Sequence, residues 1–266
     1  MGMCELLAMS CRHPARLTSS LTALASHAQG ISRNRDGWGL AFYQDRDVAL
    51  YRGMEAADTS SLVQWLEEYG PLTGLSLGYI RHATQGDIKL ANTGPFIREL
   101  NGRIHCFAHN GNLTQLDDDS ISAPRHFQPV GDSDSELAFC YLLARIEKLH
   151  EQHTGFPPFE ARLKAVAEIA VMLRNFGPAN FLYADGDTLF AHADRRMQPS
   201  TGKVTPPGLY LLQCPTFSTS KLLKPSQAPH LLKAQRAVLF ASVPLTDENW
   251  VPLTQGAALS RLEMES

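Results

Sequence analysis

Two long helical patterns stand back to back in the middle of this chain, with strand patterns crowded on either side. One begins near Asp134 and carries Leu137, Tyr141, Ala144 and Leu149. The other follows Pro157-Pro158 and carries Phe159, Leu163, Val166, Ile169 and Leu173. Such spacings place apolar residues on one face of a helix. Before them, Trp38 to Tyr43, Val48 to Tyr51, Leu75 to Arg81 and Ile104 to His109 read as strands. After them, Asn180 to Tyr183 and Thr188 to His192 flank Asp185-Gly186-Asp187, a hairpin signal, and Gly208 to Gln213 and Ala237 to Ser242 add further strands. Shorter helices are expected around Leu17, Leu21 and Leu24, ended by Gly30, and after a Ser60 or Ser61 cap, carrying Leu62, Trp65, Leu66 and Tyr69. Strands, then two helices, then strands is not the alternation that a doubly wound parallel sheet requires. The order predicts an α+β fold, sheets packed with helical layers, as a single domain over residues 1–266. The Pro-, Ser- and Lys-rich stretch 206–229 is expected to be mostly loop.

Composition narrows the partners. The net charge of −3 and the lack of a long basic run give no reason to expect nucleic acid or an anionic membrane. No segment is apolar for the ~18 residues of a membrane helix, and the start has no basic region of a secretory signal. The five cysteines, Cys4, Cys11, Cys106, Cys140 and Cys214, are odd in number and widely spread. That argues against a disulfide framework and for a reducing compartment, so cytoplasmic residence is expected.

Five segments could carry chemistry. Cys4 is the first reactive side chain. If the residues before it are removed, it combines a thiol with a free α-amine whose reference pKa, about 7.7–8.0, suits it to take the thiol proton; otherwise Cys4 is a small buried apolar residue. In Arg35-Asp36-Gly37-Trp38-Gly39, two glycines permit close backbone approach beside a large ring, or simply turn into a strand. In Arg81-His82-Ala83-Thr84, an arginine ends an apolar strand, where it can meet a carboxylate in bidentate fashion or form a structural salt bridge. His109-Asn110-Gly111 offers a side-chain amide and a glycine N–H that can point at one oxyanion, each such donor worth ~2.7–4 kcal/mol in a transition state; it also suits a type I′ turn. Asp132-Ser133-Asp134-Ser135-Glu136 reads as a helix N-cap, or as a carboxylate for a ligand ammonium. Cys106 and His109 have C-x-x-H spacing, but no second ligand pair follows, so neither metal nor cofactor is expected. His82 or His109 as the base for Cys4 is a rival within the cysteine chemistry.

In this order, Cys-Glu-Leu-Leu at 4–7, Asp36-Gly37-Trp38-Gly39, Arg81-His82-Ala83-Thr84, His109-Asn110-Gly111 and Ser133-Asp134-Ser135-Glu136 resemble the class II glutamine amidotransferases, most of all their freestanding YafJ-like branch. The resemblance implies a four-layer αββα sandwich, the N-terminal nucleophile hydrolase fold. It implies that Cys4 attacks a γ-amide carbonyl and forms a γ-glutamyl thioester, with Asn110 and Gly111 holding the oxyanion. Arg81 would take the substrate α-carboxylate and Asp134 its α-ammonium. His82 and Thr84 would line the pocket, and Trp38 would lie beside the nucleophile. The expected activity is hydrolysis of glutamine or a γ-glutamyl amide. The alternatives are an ammonia-supplying subunit for a separate synthase or acceptor-binding partner, and a silent γ-glutamyl-binding module. Cys4 is preceded by Met1-Gly2-Met3, so the mechanism expects an active form that begins at Cys4.

Overall fold

The computed structural model describes residues 4–18, 20–27, 36–83, 87–116, 126–214, 221–225, 236–256 and 258–260. Along the chain, β1 (Glu5–Leu17) is followed by α1 (Ser20–His27), β2 (Trp38–Gln44), β3 (Asp47–Gly53), α2 (Ser61–Tyr69), β4 (Thr73–Ile80), β5 (Phe96–Leu100) and β6 (Arg103–Gly111). The paired helices α3 (Asp134–Gln152) and α4 (Phe159–Arg174) come next, then β7 (Ala179–Ala184) and β8 (Leu189–His192). Short strands complete the described chain: β9 (Arg196–Met197), β10 (Val204–Thr205), β11 (Tyr210–Cys214), β12 (Leu223–Pro225), β13 (Ala237–Ala241), β14 (Val251–Pro252) and β15 (Ala258–Ser260). Within 206–229, β11 and β12 are strands; 215–220 and 226–229 lie outside the described residues, as does Gly30, the expected stop of α1.

Every pairing is antiparallel. One large sheet runs β14-β11-β13-β1-β4-β2-β3, with β12 also on β1, the second runs β15-β8-β7-β6-β5, and β9 and β10 form a separate two-stranded ribbon. The alternation of β1 explains the layering, because successive side chains of a strand point to opposite faces. Leu7, Met9 and Cys11 enter a core shared with Leu21 and Leu24 of α1 and Val63 and Leu66 of α2. Leu6 and Ala8 enter a second core, between the sheets, with Ala41, Leu77, Cys106, Ala108, Leu182, Ala184 and Ala191. A third core joins Phe107, Phe181 and Tyr183 of the second sheet to Leu142, Ile146, Val166 and Leu173 of α3 and α4. The expected four-layer αββα sandwich is therefore present. Alanine is as frequent as leucine among the buried residues of the central layer, and side chains this small let two sheet faces pack closely.

Four local features differ from the sequence reading. Leu17 belongs to β1 rather than to a helix. On α2, capped by the Ser60 hydroxyl that accepts from the Val63 N–H, the buried residues are Val63 and Leu66. Leu62, Trp65 and Tyr69 face solvent because the helix lies on the sheet along a neighbouring stripe. The tight Asn-Gly turn is at Asn101-Gly102, where both φ angles are positive (52° and 73°), as a type I′ hairpin between β5 and β6 requires. Asn110-Gly111 instead ends β6 inside the sheet, paired with Asn180 and Ala179. The strand β5 escapes pattern reading because only Phe96 and Leu100 are buried along an edge that carries Arg98 and Glu99.

His105 on β6 is fully buried with its Nδ1 2.7 Å from the Tyr183 hydroxyl, and burial lowers its pKa from 6.5 to about 3. Between those values the unfolded chain binds a proton that the native state refuses, so stability falls as pH drops through this window. Urea unfolding of His105→Gln is therefore expected to lose less stability than wild type between about pH 7 and pH 5.

Candidate active site

Cys4 stands immediately before β1, at the end of the sandwich where β6 finishes. Its side chain belongs to the central core and is 8% exposed. Three groups surround the sulfur. The Tyr79 hydroxyl donates to Sγ at 2.9 Å, the His82 N–H donates at 3.4 Å, and the thiol can donate to the His82 carbonyl, also at 3.4 Å. Burial pushes the thiol pKa up. The Tyr79 and His82 hydrogen bonds oppose it, Asp134 adds to the rise, and the positive charge of Arg81 lowers it.

The second sheet meets this residue through Asn110. Its Nδ2 donates to the Cys4 carbonyl, so the amide lies against the backbone of the cysteine itself. The carbonyl of Asn110 accepts from Asn180 Nδ2 at 3.0 Å; the same amide donates to the Arg195 carbonyl at 2.9 Å, and Asn180 Oδ1 accepts from the Asp194 N–H at 2.7 Å. Gly111 is required sterically. A Cβ there would fall 1.8 Å from the Pro178 carbonyl oxygen and 2.5 Å from His109 Nε2, so no larger residue fits while β6 and β7 stay paired.

Two groups of opposite charge, buried Arg81 and half-buried Asp134, act on this thiol. Arg81, 2% exposed, follows β4, and its N–H donates to the Gly37 carbonyl at 2.8 Å. Asp134 opens α3. Its Oδ2 accepts from the Leu113 N–H at 2.7 Å and its Oδ1 from the Ser135 hydroxyl at 3.3 Å. Ser133 caps the helix by accepting from the Glu136 N–H. Ser133 thus fulfils the cap reading, while the Asp134 carboxylate of the same segment acts on the Cys4 thiol. Glu136 itself receives Arg98 and the Gly131 N–H, which turns it away from Cys4's neighbours and into the support of the loop before α3.

The other expected residues divide. His82 meets the sulfur through its backbone, while its ring lies 3.9 Å from Asp36. Thr84 lies outside the described residues, as do Met1-Gly2-Met3 and Arg35. Trp38 does not lie beside Cys4. Its ring is fully buried in the core under α1 and α2, on the opposite face of the sheet from Cys4, and its indole N–H donates to Glu55 at 3.1 Å. The reason is strand parity. Trp38 pairs with Ile80, which faces the helices, whereas its neighbour Gly39 faces the sandwich. There a Cβ would fall 2.2 Å from the Gly94 carbonyl oxygen, so the glycine makes room for the Gly94-Pro95 segment to cross. His109 is likewise turned away as a base. It stacks beside Phe107, on the face of β6 that meets α3, with Nδ1 2.9 Å from the Ser135 hydroxyl. Cys106 faces the central layer, so the C-x-x-H spacing points its two ends to opposite sides of one strand.

Sequence reasoning gave no role to Tyr79, Asn180 or Arg196. Arg196 is buried, donates from Nη1 to the Ser242 carbonyl and forms an ion pair with Glu5, Nη2 to Oε1, both at 2.6 Å. The Ser242 hydroxyl accepts from the Leu6 N–H. These contacts hold the head of β1, but they join residues 5, 6, 196 and 242, too far apart in sequence for any local pattern to reveal.

The profile of the family described as glutamine amidotransferases class-II matches residues 3–262. A Haemophilus influenzae protein provisionally named a glutamine amidotransferase is 34% identical over 197 residues, which are 73% of this chain and 64% of that protein. The chain thus matches just under two thirds of that relative's length. The Escherichia coli protein YafJ, under the same provisional name, is 34% identical over 196 residues, covering 73% of this chain and 74% of its own. The crystal structure of a predicted glutamine amidotransferase from Pseudomonas aeruginosa superposes with a TM-score of 0.65 at 28% identity, over 96% of both chains. With a matched profile over nearly its whole length, and a sandwich that sets Cys4 against Asn110, the chain belongs to the class II glutamine amidotransferase family.

Proposed function

We propose that this chain hydrolyses the γ-amide of glutamine or of a γ-glutamyl compound through a γ-glutamyl thioester on Cys4. The observation that carries the reading is the pair of opposite charges, buried Arg81 and half-buried Asp134, acting on the thiol of Cys4, a residue whose backbone carbonyl accepts from the Asn110 amide. The free end of such a substrate is a zwitterion, and one cation and one anion are the complement it needs. In this reading Arg81 binds the α-carboxylate and Asp134 the α-ammonium. The Asn110 side chain and the Gly111 N–H receive the oxyanion, and His82 and Thr84 line the pocket. The Cys4 α-amine takes the thiol proton and passes it to the departing ammonia or amine, which requires removal of Met1-Gly2-Met3. Trp38 has no contact role and instead supports the sheet from its far side.

The natural leaving group and any acceptor are separate from this chemistry. No helix among the described residues is long and apolar enough to cross a membrane. We place the activity in the cytoplasm, acting on a small-molecule substrate, with ammonia transfer to a separate synthase or acceptor-binding protein as the variant that needs a partner.

Glutamate release from glutamine and from γ-glutamyl peptides, assayed on protein whose first residue is known from intact mass, tests the reading. Activity is expected only in the form beginning at Cys4; full activity with Gly2 attached would remove the amine from its role. Glutamate released only when a second protein is added would make the chain an ammonia-supplying subunit. Cys4→Ala should abolish turnover while leaving the circular dichroism spectrum unchanged. Arg81→Ala should raise KM about tenfold to hundredfold, the value of a lost charge-assisted bond. A wild-type KM in that variant would exclude Arg81 from carboxylate binding.

A further inference from the structure

The thiol of Cys4 has a neighbour that the chemistry above leaves idle. Tyr79 pairs with Leu6 across β1 and β4, so its side chain enters the central layer on the same face as Leu6. It is 2% exposed, and its ring lies against Gly94, where an added Cβ would come within 3.3 Å of Cδ1. The ring is thereby held between that segment and β1, with its hydroxyl on the sulfur at 2.9 Å. Burial raises the Tyr79 pKa well above 10, with the neighbouring Cys4 as the next cause, so the phenol keeps its proton and acts as a donor.

We propose that Tyr79 is a catalytic residue of this site, whose O–H donates to the Cys4 sulfur and stabilises it as a thiolate, jointly with the His82 N–H. The neutral thiol can direct its S–H to the His82 carbonyl. Once that proton leaves, two donors remain aimed at the sulfur and none has to be recruited. A hydrogen bond to a charged acceptor is about twice as strong as one to a neutral acceptor, so the interaction strengthens when the sulfur carries charge.

This role rests on the proposed hydrolysis and enters it twice. In acylation the thiol proton goes to the base, the sulfur bonds to the γ-carbon, and the C–N bond breaks as the nitrogen takes up that proton. In deacylation water gives a proton to the base as its oxygen bonds to the γ-carbon, the C–S bond breaks, and the departing thiolate takes that proton, leaving the free γ-carboxyl group. Tyr79 keeps its own proton throughout, so atoms and charge balance without it. It lowers the energy of the charged sulfur at both ends of the cycle.

The test is the pH dependence of Cys4 alkylation by iodoacetamide, read on the Cys4-containing peptide by mass spectrometry. Wild type, Tyr79→Phe and Tyr43→Phe are compared. Tyr43 is a buried phenol of the same layer whose hydroxyl lies 2.9 Å from the Ile104 and Ala184 carbonyls, so its variant removes a buried hydrogen bond away from the sulfur. In Tyr79→Phe the labelling midpoint is expected to rise by about one unit, and the rate near pH 7 to fall about tenfold. Tyr43→Phe should lower the thermal midpoint and leave the labelling midpoint in place. In the glutamate-release assay Tyr79→Phe should lower kcat and leave KM unchanged. A Tyr79→Phe titration curve superimposed on wild type would overturn the proposal, even with hydrolysis intact. A shifted curve in a protein that hydrolyses no γ-glutamyl amide would sink the activity and keep the hold of Tyr79 on the sulfur.

Discussion

One hydrogen bond across the sandwich sets the geometry of this site, the donation from the Asn110 side chain to the Cys4 carbonyl. Elsewhere the two sheets meet mostly through an apolar layer, with the Tyr43 hydroxyl 2.9 Å from the Ile104 and Ala184 carbonyls. Apolar contact is not directional, so it brings faces together without fixing how one slides on the other. A buried amide bond is directional and costly to leave unmade. It ties the head of β1 in one sheet to the end of β6 in the other. Asn180 extends the constraint by holding the Asn110 carbonyl, the Arg195 carbonyl and the Asp194 N–H together. The position of the cysteine is therefore a property of both sheets at once.

Around that bond the molecule buries charge at one end of the sandwich. Arg81, Glu5 and Arg196 are each nearly inaccessible. Buried ion pairs are weak evidence for stability, because desolvation offsets much of the attraction. They do impose direction. The Glu5–Arg196 pair, with the Ser242 carbonyl and hydroxyl, holds the two residues that follow Cys4. The local cost of these groups is matched by three separate apolar cores, which supply the favourable burial elsewhere.

Much of the architecture is legible in local pattern. The helices α3 and α4, the β2–β3 and β7–β8 hairpins and the strands β4, β6, β11 and β13 follow from periodicity and turn chemistry. The site is legible in part, since motifs in order bring forward Cys4, Arg81, Asn110, Gly111 and Asp134. Particular residues mark where this ends. The chain contains Asn-Gly twice, at 101–102 and 110–111, and local preference ranks both as turns. Only the first turns, because the second lies opposite Asn180 and Ala179 and β7 continues the ladder there. Trp38 stands in a glycine-rich motif and looks like a site residue, yet strand parity sends its ring to the helical core. Tyr79 looks like any core aromatic until its hydroxyl is seen on the sulfur.

The sequence by itself determined the class of fold, the candidate cysteine at the head of the first strand, and the family, since these rest on spacings and motifs carried by contiguous residues. The tertiary structure alone decided which faces those residues present and which distant groups meet them. It turned His109 and Trp38 away, set Asn110 on the Cys4 backbone, and brought Tyr79 and Arg196 in from other strands. The physical reason is that period and turn chemistry act within a few residues, whereas a hydrogen bond between positions 4 and 110 exists only once two sheets have packed face to face, and one between 5 and 196 only once a strand far along the chain has come back to β1.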